Sequence, residues 1–423
     1  MVDVRAGLFL GHNNKRILVP IMIVACLFAG LLLAQAQGGS SLVENTSTAT
    51  TTEKAVGDNA ATPAPTETAA AYENQCSDNL TNNDYDHAIV NCTEAIDRDP
   101  KNVIAYDDRG NAYYGKGDYN LALADYNQAI SIDPSYERIY LDRSLTFYAK
   151  GDQDHALSDC NQAINVNPED AIAYYYRSMI YLKKEDFANG LADFNRAISI
   201  DPTLEAAYLD RGNVYYWNGD YNHAFIDYNE AIGLNPNDAM AYYNRGLAYY
   251  GKGDYDRALA DYNQVISIDP TLEGAYLARG NVYYDQGDYD RALADYNQAI
   301  GLDPSFEGAY LARGNVYYSE GDYDLALADY NRMIGLDPKS VDAFIGRGNV
   351  YYSESDYDRA LADYNQAISL DPKDTLAYYN RGLTYEEQGN CSRAVSDYQQ
   401  ALLIDPNDQQ AHDKLISLGI CVK

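Results

Sequence analysis

The chain has 423 residues, enough for two or three ordinary domains or for one extended array. It holds 43 tyrosines against 8 phenylalanines and 1 tryptophan, a bias that indicates internal repetition. Acidic residues outnumber basic ones 63 to 31, and the resulting net charge of -32 repels phosphate and argues against a nucleic-acid partner. A hydrophobic content of 46% excludes a wholly disordered chain.

The first predicted element is a targeting segment at residues 1–36. Two basic residues precede an uncharged, mostly apolar stretch at 17–34, which is the arrangement of a signal peptide or an N-terminal membrane anchor. About 20 apolar residues are usual for a membrane span, so the stretch is at the short limit. Three alternatives stay open: cleavage near Ala34 and Ala36, retention as an anchor, or lipid attachment at Cys26. Each predicts that the rest of the chain is exported, with membrane contact through this segment alone.

Residues 37–70 are predicted to be a disordered linker. They are rich in Ser, Thr, Ala and Pro and contain few large apolar residues. Such a segment buries too little surface to offset its conformational entropy. We therefore expect it to tether the following domain to the amino terminus.

Prolines set the register of everything that follows. Ten of them recur at intervals of 34 residues, and we take each as position 32 of a repeating unit whose strict register begins at residue 69. The ten are Pro100, Pro134, Pro168, Pro202, Pro236, Pro270, Pro304, Pro338, Pro372 and Pro406.

Each unit contains two runs of helical spacing. Between the runs of the unit 273–306, Gly287 predicts a left-handed helix stop and Asp288 a cap for the second helix. Pro304 closes the second helix, because proline biases its predecessor out of the helical region. The recurring residues of this unit are Tyr276, Gly280, Tyr283, Ala292, Tyr296 and Ala299.

These residues, with Pro304, resemble the tetratricopeptide repeat (TPR), in which large aromatic, small, Ala and Pro residues recur in this order. The resemblance implies an all-α fold, a right-handed superhelical solenoid of ten 34-residue helix-turn-helix repeats at 71–408. The first unit departs from the pattern at Cys76 and Asn79, which indicates a divergent or capping repeat. Residues 409–423 are predicted to form a C-terminal capping helix that covers the last hydrophobic face.

Two charged columns predict a structural ladder. Arg occupies position 7 and Asp position 23 in nine of the ten units, and an antiparallel hairpin brings these positions together. We expect partly buried ion pairs, and losing one partner of a truly buried pair costs on the order of 3 kcal/mol. Representative members are Arg211, Asp227, Arg279, Asp295, Arg313 and Asp329.

Tyrosine falls mainly at positions 4, 11, 12, 17 and 24, and four of these are predicted to lie in the core. Position 12 follows the aromatic residue of position 11 and must point about 100° away from it. The resemblance implies that positions 2, 5, 9, 12 and 13 of the first helices line a concave peptide-binding groove. Asn at position 9 would bond to a peptide backbone, and Tyr would supply contact area; the alternative is that Asn bonds to neighbouring repeats. The predicted groove residues are Asn111, Tyr114, Asn213, Tyr216, Trp217, Tyr250, Asn281, Tyr284, Asn315, Tyr318, Asn349 and Tyr352.

The cysteine positions indicate whether the protein is in an oxidising or a reducing compartment. Cys76 and Cys92 are at positions 8 and 24, which lie opposite each other in the hairpin and can form a disulfide. Cys391 and Cys421 are at the same end of the last repeats and form a second predicted pair. Two such bridges fit an oxidising compartment, whereas the alternative is that all of these residues are buried thiols.

No residue pattern predicts catalysis, a metal site or a cofactor. His87, His155 and His223 are on separate hairpins, so we do not expect them to share a metal ion. The predicted function is therefore that of a non-enzymatic, exported scaffold that binds other proteins or peptides in the groove. The alternatives are a structural or self-associating spacer in an envelope assembly and, less favoured by the sequence, an enzyme or glycan-binding protein.

Overall fold

The structure, a computed structural model, describes residues 68–419. The predicted targeting segment, the linker up to residue 67 and Cys421 lie outside this range. Within it, the chain forms twenty-one α-helices and no strand, which confirms the predicted all-α class. The described chain divides into two compact units, 68–235 and 236–419.

In the unit 68–235 the helices are α1 (Ala69–Thr81), α2 (Tyr85–Arg98), α3 (Val103–Gly115), α4 (Tyr119–Ile132), α5 (Glu137–Ala149), α6 (Gln153–Val166), α7 (Ala171–Lys183), α8 (Phe187–Ile200), α9 (Glu205–Trp217) and α10 (Tyr221–Leu234). In the unit 236–419 they are α11 (Ala239–Gly251), α12 (Tyr255–Ile268), α13 (Glu273–Asp285), α14 (Tyr289–Leu302), α15 (Glu307–Glu320), α16 (Tyr323–Leu336), α17 (Val341–Ser353), α18 (Tyr357–Leu370), α19 (Thr375–Glu387), α20 (Cys391–Ile404) and α21 (Gln409–Ser417). Odd-numbered helices up to α19 are the first helices of repeats, and even-numbered helices are the second. Each first helix packs most closely against the second helix of its own repeat.

The turn between the two helices of a repeat has the predicted chemistry. Gly253 adopts a φ of 75°, in the left-handed region that terminates a helix. Asp254 then caps α12 by accepting a hydrogen bond from the backbone N–H of Arg257 at 3.3 Å. Because both residues recur at the same positions, the hairpin is specified locally in nearly every repeat.

Three repeats carry a residue other than glycine at the left-handed position: Asn83, Glu185 and Ser355, with φ between 57° and 63°. A side chain in this region costs roughly 1–2 kcal/mol per residue. We expect Glu185→Gly and Ser355→Gly each to raise the free energy of unfolding by about 1 kcal/mol, measured by denaturant titration. Gly219→Ala is the matched reverse change, since Gly219 has a φ of 76°, and it should destabilise the protein.

The core of a typical repeat is a buried tyrosine at position 24 packed against a glycine at position 8. Tyr296 is 1% exposed, and a Cβ placed on Gly280 would lie 2.6 Å from its Cε1 atom. One repeat solves the same packing problem with different residues: Ser144 faces the smaller Cys160, with Oγ and Sγ 3.1 Å apart. A larger side chain at position 8 thus accompanies a smaller side chain at position 24.

The prediction that tyrosines at positions 4, 11, 17 and 24 are all core holds fully for position 24 alone. Tyr283 at position 11 and Tyr289 at position 17 are only half-buried, and Tyr276 at position 4 is 9% exposed. Residues at positions 11 and 17 flank the turn at the helix ends, so the phenol rings pack while the hydroxyls stay near water.

Both ends of the described array are close to the predicted boundaries. Helix α1 begins at Ala69, two residues inside the predicted linker, and is capped by the side chain of Thr68. Helix α21 lies where a capping helix is expected, and its Ala411 and Leu415 are fully buried. Among residues 68–419, no helix combines the length and apolarity needed to cross a membrane. The predicted anchor at 17–34 is outside these residues.

Candidate functional site

The candidate site is the surface made by the first helices within each compact unit, which we call the first-helix face. It carries the predicted groove residues at positions 9, 12 and 13 of the repeats. Consecutive first helices within a unit contact each other, as α13 does with α15 and α15 with α17. The face of each unit is therefore a continuous surface.

The asparagine column at position 9 differs from its expected exposure. Asn213, Asn281 and Asn349 are 7%, 6% and 0% exposed. The buried tyrosine hydroxyl of position 24 needs an acceptor inside its hairpin, and the position-9 amide oxygen supplies it. The amide oxygens of these asparagines therefore serve the core. The bonds, at 2.8–2.9 Å, join Tyr126 to Asn111, Tyr228 to Asn213, Tyr296 to Asn281, Tyr330 to Asn315 and Tyr364 to Asn349.

The tyrosine column at position 12 remains partly accessible. Five of the six predicted members are half-buried, namely Tyr114, Tyr216, Tyr250, Tyr284 and Tyr318. The sixth, Tyr352, is 9% exposed and belongs to the core. Each ring is held at 5.5–5.9 Å from the ring of position 17 in the same repeat. Each ring therefore has a packing neighbour within its own repeat.

Hydroxyl groups of this column also connect neighbouring first helices. Tyr250 donates to Asp285 Oδ2 at 2.7 Å, and Tyr318 lies 3.0 Å from Ser353 Oγ. Burial raises the pKa of Tyr114 and of Tyr216 to about 12, so both are neutral phenols at physiological pH. Trp217, next to Tyr216 at the end of α9, is 40% exposed and extends the aromatic surface of the unit 68–235.

The Arg–Asp ladder is confirmed in all nine repeats that carry both residues. Arg279 donates two bonds to Asp295, at 2.8 and 2.7 Å, and their side chains are 20% and 8% exposed. The other pairs have the same two-bond geometry: Arg109–Asp125, Arg143–Asp159, Arg177–Asp193, Arg211–Asp227, Arg245–Asp261, Arg313–Asp329, Arg347–Asp363 and Arg381–Asp397.

Sequence reasoning missed the third partner of the ladder. In most repeats the remaining guanidinium nitrogen donates to an asparagine at position 25 of the preceding repeat, as Arg279 does to Asn263 at 2.6 Å. The recurring Asp-Tyr-Asn triplet, which is Asp261-Tyr262-Asn263 in this case, is the sequence signal. In those repeats the arginine joins two adjacent repeats as well as the two helices of its own, which indicates a structural role for the ladder.

The Cys76–Cys92 bridge is present, with Cα atoms 5.3 Å apart, as predicted. Cys391 is exposed and has no disulfide partner among residues 68–419. Its predicted partner, Cys421, lies outside the described residues, so that bridge stays a prediction. Cys160 is a buried thiol.

The three histidines contact their own helix caps. His155 Nδ1 lies 2.7 Å from Asp152, and His87 and His223 have equivalent partners. Within the described residues, one group of three potential metal ligands lies together, namely Cys76, Cys92 and Asp108. Its two sulfurs form the disulfide and are not available as thiolates.

An acidic cluster on the first-helix face of the unit 68–235 was not predicted. It consists of Asp107, Asp108 and Asp142 with Arg138. Asp107 is 1% exposed and Asp108 is 7% exposed. Arg138 Nε lies 3.4 Å from Asp142 Oδ2 and 3.8 Å from Asp107 Oδ2. The sequence does contain one indication of the cluster. Asp107 is at position 5, which is apolar or aromatic in eight of the ten units.

Burial, and then the charge of Asp142, holds the pKa of Asp107 well above its usual range. Arg138 lowers this pKa and Asp108 raises it, so the net direction is set by burial and the two acids. A carboxyl whose pKa is raised on folding favours the folded state when protonated, and this contribution is lost as pH rises through the folded pKa.

The replacement Asp107→Asn removes this titration. We expect the free energy of unfolding of the variant, relative to the unmodified protein, to increase between pH 4 and pH 9, as measured by urea titration at each pH. A difference that is constant or that shrinks with rising pH would contradict the raised pKa.

Comparison with known families identifies the repeats. Segments 110–151, 212–253, 280–321, 314–354 and 348–389 match a family described as TPR repeat, and 141–205, 239–272 and 375–408 match families described as tetratricopeptide repeat. Together the matches cover about two thirds of the chain. No curated protein sequence matches the chain.

Several solved structures are similar to this chain. A tetratricopeptide repeat protein from Parabacteroides merdae is 22% identical, with 59% of this chain and 98% of that chain covered and a TM-score of 0.51. Yeast Tom70 is 15% identical, with coverages of 83% and 94% and a TM-score of 0.44. The C-terminal part of a TPR repeat-containing protein from Cytophaga hutchinsonii is 20% identical, with coverages of 56% and 97% and a TM-score of 0.47.

Proposed function

Because this chain belongs to the tetratricopeptide repeat family, we propose that it is a non-enzymatic scaffold that binds segments of other proteins on its first-helix face. Repeat proteins of this family typically mediate protein–protein interactions, since stacked repeats offer extended binding surfaces. The family places the chain among scaffolds, and the residues on the face give the proposal its specific form.

The position-12 tyrosine column carries the proposal. Apart from the buried Tyr352, the rings listed above are half-buried. Each packs at a tilt against a second tyrosine of its own repeat, and the hydroxyls of Tyr250 and Tyr318 contact the next first helix. An aromatic side chain held in this way offers flat, amphipathic contact area and loses little entropy when a ligand binds. Trp217 adds an exposed indole of the residue type most enriched at binding hot spots.

We also place this function outside the cytoplasm. The Cys76–Cys92 disulfide supports that location, because disulfides persist in oxidising compartments. The predicted targeting segment at residues 1–36 supports it independently. Mass spectrometry of nonreduced peptides from the native protein should recover the bridged peptide. Recovery of Cys76 and Cys92 as free thiols would contradict the location.

The binding proposal is tested by combining Tyr250→Ala, Tyr284→Ala and Tyr318→Ala in the full-length protein and quantifying partners by crosslinking and pull-down. We expect the partners of the unmodified protein to be lost. Leu325→Ala with Leu403→Ala is the control, because these side chains are 49% and 76% exposed on second helices. The Phe versions of the three tyrosines keep the rings and should retain partners, which separates loss of contact from loss of fold. Equal recovery by the Ala variant and the unmodified protein would rule out this face.

A further inference from the structure

Acidic residues are distributed unequally between the first-helix faces of the two units. Positions 5 and 6 carry five acids in the unit 68–235, namely Glu73, Asp107, Asp108, Asp142 and Asp210. In the unit 236–419 the same two positions hold Tyr, Asn, Leu, Ala, Ile and Gly, and no acid. The acidic cluster is thus a local feature of one face and not a consequence of the repeat pattern.

The cluster is undersupplied with positive charge. Arg138, whose side chain is 56% exposed, contacts the carboxyl groups of Asp107 and Asp142. Asp108 accepts a hydrogen bond from Ser77 at 2.5 Å. The contacts of Arg138 at 3.4 and 3.8 Å are looser than the bonds of 2.6 and 2.8 Å between Arg143 and Asp159 in the same repeat. Asp107 Oδ1 is buried and has no hydrogen-bond partner in the described part of the chain. A buried carboxyl group without a partner of opposite charge retains a proton, and a cation placed beside it would favour the ionised form.

The geometry favours an organic cation over a metal ion. The oxygens of Asp107 and Asp142 do not belong to any group of three converging ligand atoms within residues 68–419. A guanidinium or ammonium group on a long side chain can instead bridge separated carboxylates. Arg138 shows that the cluster accepts such a group from its solvent side.

Neighbouring contacts connect the cluster to the proposed binding surface. Asn111 Nδ2 donates to Asp142 Oδ2 at 3.2 Å, and the charge of Asp142 is among the causes that raise the pKa of Tyr114. Tyr114 belongs to the position-12 column of the same unit. A segment lying along that column would therefore pass the acidic cluster.

We propose that the acidic cluster is the subsite for an arginine or lysine side chain of a bound protein segment, and that Arg138 is the internal cation which this side chain replaces. The inference rests on the proposed function, because it assumes that the first-helix face binds protein segments. It adds that the partner of the unit 68–235 is a cationic segment.

The first test measures fluorescence anisotropy of a fluorescein-labelled Gly-Arg repeat peptide with full-length protein, alongside the same peptide with Gln in place of Arg. Asp107→Asn with Asp142→Asn should weaken binding of the arginine peptide by about tenfold, since charged pairs at a desolvated site are worth more than exposed ones. Asp290→Asn with Asp324→Asn removes the same number of carboxyl groups at exposed sites of the other unit, and should change binding by less than about twofold.

The second test removes the charge of Arg138, the cation proposed to compete with the ligand. Arg138→Gln should strengthen binding of the arginine peptide by at least about threefold, because the internal competitor is removed. Arg196→Gln removes the same charge from a side chain that is 43% exposed and bonded to Glu169, and it should have less than about half of that effect. Arg138 is exposed, so this variant tests the proposal even if the double aspartate variant does not fold.

Equal responses of Arg138→Gln and Arg196→Gln would overturn the subsite, as would equal binding of the arginine and glutamine peptides. Neither result would affect the proposed function, which depends on the tyrosine variants of the unit 236–419. Conversely, the tyrosine variant could keep its partners while the Asp and Arg variants still change binding of the arginine peptide. That outcome would support a cation site but contradict the proposed scaffold surface.

Discussion

Replacing Asp295 by alanine should lower the free energy of unfolding by about 3 kcal/mol, because the change leaves a largely buried guanidinium without its carboxylate. Arg279 donates two bonds to Asp295 and a third to Asn263 of the preceding repeat. The loss therefore weakens both a hairpin and the contact between two repeats. Denaturant titration followed by far-UV circular dichroism measures it.

Two controls separate the ladder from other effects. Arg291→Ala removes a guanidinium that is 58% exposed and pairs with Asp288, and it should change stability much less. Arg279→Met with Asp295→Leu removes both charges, and we expect it to be less destabilising than Asp295→Ala alone. A double variant that is as unstable as the sum of its single changes would show that an unpaired buried charge is not the cause.

Replacing Gly280 by alanine should cost about 2 kcal/mol, in the range typical of overpacking a core. The new methyl group would lie 2.6 Å from Tyr296 Cε1 and 3.3 Å from Asp295 Cβ. The ring cannot easily move away, because it is buried and its hydroxyl is held by Asn281 at 2.9 Å. Thermal and denaturant unfolding of the variant measure the cost.

Gly301→Ala is the matched control for this prediction. Gly301 is also helical, but a Cβ there meets no atom within 4 Å. Alanine in an open helical position is more stable than glycine by roughly 0.5–1 kcal/mol. The two Gly→Ala changes should therefore have opposite signs, and a loss of stability in both would contradict the packing argument at Gly280.

The interactions that sequence reasoning predicted are those that repeat at a fixed separation within one hairpin. The spacing of 34 between prolines locates every turn, and the Arg–Asp pairs lie 16 residues apart in each of nine repeats. The Cys76–Cys92 bridge has the same separation of 16. A short connection and an antiparallel hairpin leave little freedom for such pairs, so that periodicity is sufficient to find them.

The residues that sequence reasoning placed wrongly or missed are those whose environment depends on which buried group needs a hydrogen-bond partner. Asn281 has the helical position of a surface residue, but a buried Tyr296 hydroxyl requires its oxygen. The acidic cluster depends on contacts between successive first helices, such as Ser77 with Asp108 and Asn111 with Asp142, both 31 residues apart. The same pair of positions is joined between Asn349 and Asn380, but the residue types differ from one repeat to the next, so no repeating residue pattern marks the cluster.

Photocrosslinking from the first-helix face tests the central claim most directly. A benzoylphenylalanine placed at Tyr284 in the full-length protein, and another placed at Leu325, would each be irradiated under native conditions. Tyr284 is a half-buried residue of the position-12 column, and Leu325 is 49% exposed on a second helix. We predict crosslinks to partner protein segments from position 284 and none from position 325. Crosslinks from position 325 with none from position 284 would contradict the claim that this face binds other proteins.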